Sequence, residues 1–462
     1  MRQSIPMEVR LENGSISSDP EIVMDKWKCD FENMLNSNSA SNSNSSCNEN
    51  YNISDDFLDR EISVDEVYNV IRVAKCGKAP GYDEIPVEVY KNQTALCALT
   101  RIFNVCFSTG KVPDVWSRGI ITPIPKSSTS DVRDPLAFRG ITLAPSSYKI
   151  YCGVLNSRLT KRLDDFDIVH DEQNGFRTNR CTLDHLSTIT NIIECRKIRK
   201  LSTFAAFIDF KKAYDTINRN LLFCKLQEIG ISCKMLNAIK SLYHNVQSCV
   251  KINGSFTQWF DVNCGLKQGC VLSPLLFNIF LNNLVDIIKS LDIGICVDDE
   301  KICILLYADD IVFLTENESD LQKALDVLAL WCNDNDLVVN LNKSKILHFR
   351  TPSMPVSNLC FSYNEDNVEI VSQYTYLGLL FTEFLNYDEM AKAVAKSASR
   401  ALGLLIAKCK ANGGFNYTTF TKLFDTMVWS VIDYGASIWG TNDFSCINAV
   451  ENRAMRFIYG SR

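Results

Sequence analysis

Residues 302–315 read ICILLYADDIVFLT, two short apolar runs rich in β-branched and aromatic side chains, interrupted by Ala308, Asp309 and Asp310. Such a pattern predicts a β-hairpin, with flanks too apolar to be surface elements. Two neighbouring carboxylates at the tip of a buried hairpin raise each other's pKa unless a cation offsets them. For a lone Asp-Asp pair, a solvated acidic turn is the simpler reading. A third carboxylate changes that balance. The run FAAFIDF (204–210) predicts another strand, with Asp209 near its end. If the two strands are neighbours in one sheet, Asp209 and Asp309 converge. Hard oxygen ligands with no histidine or cysteine nearby suit Mg²⁺, which binds through few carboxylates plus substrate phosphates. Two such ions can activate a hydroxyl and stabilise a leaving pyrophosphate in an in-line displacement.

Working outward, KKAYDTINRNLLFCKLQEIG (211–230) has a helical pattern closing on Gly230, and MLNAIKSLYHNVQ (235–247) predicts a second helix. CVKI and SFTQWF are strand-like runs separated by Asn253-Gly254, a strong hairpin signal. Ser273-Pro274 resembles a helix N-cap followed by proline at the first helical position, opening a helix through Leu284 or beyond. Ser63 and Glu66 form an S-x-x-E capping box, and Val64, Val67, Val70, Ile71 and Ala74 make the apolar face of a helix ended by Gly77. Helical patterns also lie near residues 391–410, 417–433 and 446–459, beyond a boundary near Thr382. The Asn/Ser-rich tract from Asn36 to Asn52 lacks core-forming residues and reads as a flexible linker. The sum is an α+β chain.

The 462 residues are 46% hydrophobic and 22% charged, a globular composition with ample apolar surface for a core. No run is apolar enough to cross a bilayer; the best, after Leu272, is interrupted by Asn278, Asn282, Asn283, Asp286 and Lys289. The N-terminus has no basic-then-apolar signal pattern, so an intracellular setting (nucleus, cytoplasm or both) is expected. The 19 cysteines are scattered singly without a CxxC pair and read as reduced core residues, not as a zinc site. The net charge of −6 is local: of 48 basic and 54 acidic residues, 5 and 11 fall before position 61, and the remainder is neutral. Basic residues cluster at Arg158, Lys161, Arg162, Arg177 and Arg180, then at Arg196, Lys197, Arg199 and Lys200. A solvated face is the plain reading of that cluster and a phosphate-tracking groove the sharper one.

The order of motifs resembles that of non-LTR retrotransposon (LINE-type) reverse transcriptases. KAPGYDEIP (78–86) is similar to the segment preceding their fingers. IPKSSTSDVRDPLAFRGITL (124–143) and QNGFR (173–177) resemble the first two shared motifs. FIDFKKAYD, GLKQGCVLSPLLFN, YADD, NLNKSK and YLG follow in the family's order, and VWSVIDYGASIWG (428–440) resembles its thumb region. Any one match is weak, whereas eight in order leave chance negligible.

The resemblance implies a right-hand polymerase with fingers, a palm built on an antiparallel sheet and a helical thumb. It implies a linker like the endonuclease–polymerase connector over 1–60, an N-terminal extension and fingers over 61–200, a palm over 201–382 and a thumb or connector over 383–462. The reverse transcriptase domain itself would span about 107–382. It implies that Asp209, Asp309 and Asp310 hold two Mg²⁺ ions, replaceable by Mn²⁺, with the Phe210 carbonyl as a further ligand. Lys126 and Arg139 match residues gripping the incoming triphosphate, and Gln268 and Gly269 a pair against the nucleotide and template base. Lys343 matches a lysine proposed to protonate pyrophosphate, and Leu377 and Gly378 match the primer grip. Ala213 and Tyr214 fall where the incoming sugar lies; an aromatic ring there collides with a 2′-hydroxyl, the group that marks RNA precursors. The implied partners are an RNA template, a DNA primer or nicked target DNA, and dNTPs, with no membrane. Plainer readings compete: Gly269 as a turn glycine, Lys343 as a solvated lysine, Lys126 and Arg139 as surface charges.

Departures from the family are modest. Gly140 and Val271 stand where many relatives have proline, and Glu84 replaces a common glycine. Two further readings stay open: a catalytically impaired or domesticated RNA-binding relic, and a group II intron maturase or retron enzyme, which also use YADD.

Overall fold

The computed structural model describes residues 5–36, 51–126, 131–440 and 442–460. By internal contacts the chain divides into two interleaved units. The first comprises Met1–Asp171, Phe210–Asn283 and Trp331–Val338, and the second Glu172–Asp209, Leu284–Leu330 and Val339–Arg462.

The core of the first unit forms between one helix and one sheet. Asp19 caps the helix Pro20–Met34 by accepting from the Glu21 amide, with proline at the first helical position. Val23, Trp27, Phe31 and Met34 recur at three- and four-residue spacing and are buried. They pack with Ile121, Phe138, Val250, Ile252 and Phe260 from the sheet. In that sheet Phe138–Leu143 pairs with Arg118–Pro125, which lies parallel to Gln247–Ile252, the strand that carries the hairpin partner Ser255–Phe256. The Asn253-Gly254 turn is as expected, both residues having positive φ (48° and 103°). A flexible linker over 1–60 does not hold for the Pro20–Met34 helix, where Trp27 is 1% exposed; the stretch 37–50 of the Asn/Ser-rich tract lies outside the described residues. The helix also accounts for Gly140, since a Cβ there would sit 2.6 Å from Phe31 Cε1.

The capping box at Ser63 forms with both reciprocal bonds, and the helix runs Val64–Val73, ending short of Gly77. Arg158 binds Glu66 and the carbonyls of Leu58, Arg60 and Glu61. Burial pushes the Glu66 carboxyl up, but Arg158 and the Ser63 amide outweigh it and bring it down to about 2. The helix expected over 211–230 is broken in two. Lys212 adopts a left-handed φ of 53°, a short helix spans Ala213–Thr216, and Asn218 caps a new helix, Arg219–Glu228. Arg219 then donates to the carbonyls of Val262, Cys264 and Gly265, contacts more than forty residues away that a helical period does not reveal. The helix Ser273–Lys289 begins at Ser273 itself, whose buried hydroxyl donates to the Lys267 carbonyl. Among the described residues the cysteines other than Cys224 are free thiols.

The second unit is built on a four-stranded antiparallel sheet in the order Ile304–Tyr307, Asp310–Thr315, Thr203–Ile208, Lys345–Phe349. All six residues of the central strand Thr203–Ile208 are buried. On one face Ala205, Phe207, Val312, Leu314, Leu347 and Phe349 join Leu186, Ile189 and Ile193 of the helix Thr182–Ile198, the alternation expected of strands covered on both sides. The same cluster takes in Tyr376, Leu379 and Phe381 of the hairpin Gln373–Tyr376/Leu379–Thr382, and Val394, Ala398, Leu402 and Leu405 of the helix Tyr387–Ala411. The segment 417–433 is a helix, Tyr417–Phe424, continued by a π-helical turn, Asp425–Trp429, and Ser430–Asp433; Ser445–Tyr459 closes the described chain. Among the described residues no helix is long and apolar enough to cross a membrane.

His185 is fully buried in this unit, with its Nδ1 3.0 Å from the Tyr376 hydroxyl. Burial pushes the ring down to about 4 from 6.5. Between these values the unfolded chain takes up a proton that the folded protein refuses. The contribution is therefore complete above pH 6.5 and lost as pH falls toward 4, by up to about 3 kcal/mol. His185→Gln, which can still meet the Tyr376 hydroxyl, is expected to remove this share of acid sensitivity. Urea midpoints of both proteins between about pH 4 and 7 check it; equal slopes with pH would refute it.

Candidate active site

In the second unit the register decides where the carboxylates lie. Ile311 stands opposite Ile208, so Asp310 begins its strand beside the point where Asp209 follows the neighbouring one. Tyr307 pairs with Asp310, leaving Ala308 and Asp309 as a two-residue turn. Burial, then the charges of Asp309 and Asp209, push the Asp310 carboxyl up to about 7, against the pull of Lys343. Tyr374 feels the same field: burial, with Asp310 and Asp209, moves its hydroxyl up to about 12.

The NLNKSK loop wraps Asp209. Asn340 Nδ2 donates to Asp209 Oδ2 at 3.0 Å, the Asn340 amide to the Asp209 carbonyl at 2.7 Å, and the Asp209 amide to Ser344 Oγ at 3.1 Å. Lys343 Nζ lies 3.4 Å from Asp209 Oδ2 on an exposed side chain. Sequence reasoning named Lys343; Asn340 and Ser344 stood in the same quoted motif, but nothing in their spacing marks them as partners of a residue about 130 positions earlier.

The turn is held from behind. Ala308 has φ 57°, a left-handed conformation unusual for a residue with a Cβ. Gln173, 3% exposed, accepts from the amides of Ala308 (2.9 Å) and Gly175 (2.8 Å) through Oε1, and its Nε2 faces the Ala308 carbonyl at 3.4 Å. The backbone on either side is pinned by Asn174 N to Leu306 O and Leu306 N to Glu172 O. Gly175 passes so close that a Cβ would lie 2.2 Å from Ala308 N. The QNG of QNGFR thus buttresses the YADD turn, a role its sequence does not announce.

Leu377 and Gly378 occupy the turn between Tyr376 and Leu379 with φ 43° and 86°. Two positive values define the hairpin turn that favours Asn-Gly, so a leucine at its first position is held there at some cost.

The first unit gathers the other predicted residues. The strands Arg118–Pro125 and Phe138–Leu143 place Arg139 opposite Ile124, one pair from the strand end after which Lys126 follows; Lys126 Nζ donates to the Leu136 carbonyl. Both side chains are exposed. Ala213 is buried, and the Tyr214 ring stacks on Phe277 with centroids 4.4 Å apart, which fixes its plane. Gln268 Nε2 donates to Asp215 Oδ1 at 2.8 Å, and its carbonyl accepts from the Thr142 amide. Gly269, at φ 103°, could carry a Cβ only 3.2 Å from the Thr142 carbonyl. Burial pushes Asp215 up to about 6, opposed by Gln268, Lys126 and Lys212. An ionised carboxylate only accepts, so Asp215 takes the amide end of Gln268 and turns its oxygen the other way. Asp215 was quoted within FKKAYD but not singled out; the signal was its place next to Tyr214.

Parts of the basic cluster are structural. Arg158 is 1% exposed, and the largely buried Arg196 bonds Ser202, Thr203 and Glu316. These two belong neither to a solvated face nor to a groove.

Over residues 124–381 the chain matches the family described as reverse transcriptase (RNA-dependent DNA polymerase), and it belongs to that family. It is 24% identical over 418 residues to the RNA-directed DNA polymerase from mobile element jockey of Drosophila melanogaster, covering 87% of this chain and 44% of that protein. It is 29% identical over 288 residues to the retrovirus-related Pol polyprotein from type-1 retrotransposable element R2 of Popillia japonica, covering 62% and 39%. A transposon TX1 uncharacterized 149 kDa protein of Xenopus laevis matches at 23% over 342 residues, covering 72% of this chain and 26% of that one. The chain therefore spans between about a quarter and under a half of these relatives' length. A telomerase structure from Candida Tropicalis, in complex with a TWJ fragment of telomeric RNA, aligns with TM-score 0.43 at 13% identity over 84% of this chain and 66% of that one. The resemblance to LINE-type non-LTR reverse transcriptases is borne out, and with it the α+β, right-hand polymerase class.

Removing the support behind the turn tests its part in the site. Gln173→Ala leaves two buried amides without their acceptor and is expected to cost about 1–3 kcal/mol. Gly175→Ala forces the turn to move and is expected to cost a similar amount, about 1–3 kcal/mol. Urea denaturation measures both, and an unchanged midpoint for either would show that the turn does not depend on this contact.

Proposed function

We propose that the chain copies an RNA template into DNA, adding dNTPs to a DNA primer or to nicked target DNA by two-metal nucleotidyl transfer. The observation that carries this reading is the register that sets Asp310 beside Asp209 on adjacent buried strands, within a chain of the reverse transcriptase family. In this reading the fingers lie in 61–200, the palm in 201–382 and the thumb in 383–462.

Among the described residues no three or more His, Cys, Asp or Glu side chains are drawn into one cage. The donor chemistry nonetheless suits Mg²⁺: carboxylate oxygens alone, with negative charge that protonation of Asp310 at about 7 only partly relieves. Asp209, Asp309 and Asp310 would hold the ions, with the Phe210 carbonyl, next in the chain to Asp209, as a further oxygen. When bound, two Mg²⁺ ions lower the pKa of the primer hydroxyl and offset charge on the leaving pyrophosphate. The protein's own residues do the rest. Asn340 and Ser344 hold Asp209 in one orientation. Lys343, beside Asp209, hands a proton to pyrophosphate. Lys126 and Arg139 bind the triphosphate, and Gln268 with Gly269 forms a flat wall for the base pair. The Tyr214 ring, fixed on Phe277, excludes a 2′-hydroxyl. The relic reading loses ground because every one of these side chains is present.

The test is primer extension on poly(rA)–oligo(dT) with dTTP and Mg²⁺. The wild type is expected to extend, to stop on chelation, and to resume with Mg²⁺ or Mn²⁺. Asp309→Ala is expected to lower the rate by at least about 10²–10³-fold with folding intact; comparable extension by this variant would sink the metal assignment. If a folded wild type binds template–primer yet does not extend it, the relic reading becomes the better one. Tyr214→Val should reduce discrimination against ribonucleotides by about 10–100-fold, measured as the ratio of kcat/KM values for dTTP and UTP. Unchanged discrimination would remove Tyr214 from the role.

A further inference from the structure

The segment 428–440, VWSVIDYGASIWG, has no part in the chemistry above. Tyr434 lies between the helical turns Ser430–Asp433 and Ala436–Trp439, and Gly435 reverses the chain with φ 72°. The Tyr434 hydroxyl donates to the Leu377 carbonyl at 2.6 Å and lies 3.1 Å from Thr182 Oγ1. Two glycines let the surfaces approach this closely. A Cβ on Gly378 would sit 3.2 Å from the Tyr434 ring, and a Cβ on Gly435 would sit 2.6 Å from Leu379 Cδ1. The indole of Trp439, itself 3% exposed, donates to the Tyr434 carbonyl at 3.3 Å and steadies the tyrosine from behind. On the strand before the turn, the Tyr376 hydroxyl meets His185, three residues along the same helix as Thr182.

This arrangement answers a difficulty in the turn itself. Leu377 is held at φ 43°, where a branched side chain does not rest without help. A hydrogen bond to its carbonyl orients the peptide that links it to Gly378. We infer that Tyr434 is a positioning residue for the primer terminus, locking the Leu377–Gly378 turn to the C-terminal helices through its hydroxyl. The inference rests on the assignment of that turn to the primer strand. Through this bond the C-terminal helices set the shape of the surface on which the primer end lies.

Tyr434→Phe keeps the ring and removes only the hydroxyl. Hydrogen exchange across residues 373–382 is expected to quicken by about two- to tenfold, the scale of one hydrogen bond. In primer extension the KM for template–primer should rise by a similar factor of about two to ten, while the KM for dTTP and the thermal midpoint stay unchanged. Tyr417→Phe, at an exposed tyrosine of the preceding helix, is the control and should alter none of these. Unchanged exchange and unchanged template–primer KM in Tyr434→Phe would overturn the inference, as would a loss that merely tracks a lowered thermal midpoint. If the wild type does not extend at all, the functional reading has failed, and the exchange rates still decide whether the lock exists.

Discussion

Ile311 faces Ile208, and much of the second unit follows from that pairing. A strand pairing displaced by one residue would turn Val312 and Leu314 away from the face they share with Ala205 and Phe207, and would lose the apolar contact with the helix behind. The hydrophobic pattern therefore enforces the register, and the register brings two acidic side chains together at the sheet's end. Burial and repulsion hold Asp310 far above the usual carboxylate range. The apolar core is thus what makes an unfavourable charge arrangement tolerable, and in the proposed function it is this arrangement that a hard cation would relieve.

Within each unit, polar side chains from distant segments fix groups that would not stay in place alone. Gln173 spans the Ala308 peptide, Asn340 and Ser344 bracket Asp209, and Asp215 sets the amide of Gln268. Each is a neutral or single-charge contact at a site where geometry matters more than strength, as positioning chemistry requires. Ala308 and Leu377, both left-handed despite carrying side chains, sit in such held turns. Backbone held off its preferred regions clusters where function demands a shape that local sequence does not favour.

What could be read from the chain and what could not divide along the same line. The strands that end just before Asp209 and begin at Asp310, the Asn253-Gly254 turn and the capping box at Ser63 depend on neighbours within a few residues, and all were legible. The break at Lys212 and Asn218 was not, because KKAYDTINRN keeps a helical period while Arg219 is drawn to carbonyls more than forty residues away. The first helix was missed for a different reason: its Asp19-Pro20 cap and Val23, Trp27, Phe31 spacing were visible but overshadowed by the Asn/Ser-rich tract after it. Of the candidate site, the convergence of Asp209 and Asp310 was legible, and the remaining residues were proposed from the ordered motifs. Their supports were not, because Gln173 and Asp215 act through partners that no local spacing specifies.

The interleaving of the two units has a consequence for synthesis. Thr203–Ile208 needs strands that begin at Asp310 and Lys345, and the core they share reaches Ala454. A ribosome making this chain releases a strand destined for complete burial about a hundred residues before its first partner exists. Contacts of such long sequence separation close slowly, and an unpaired apolar edge is prone to aggregate while it waits. The nascent chain therefore carries this strand unpaired until its partner has been made, and is a natural client for whatever shields exposed strands in the cell.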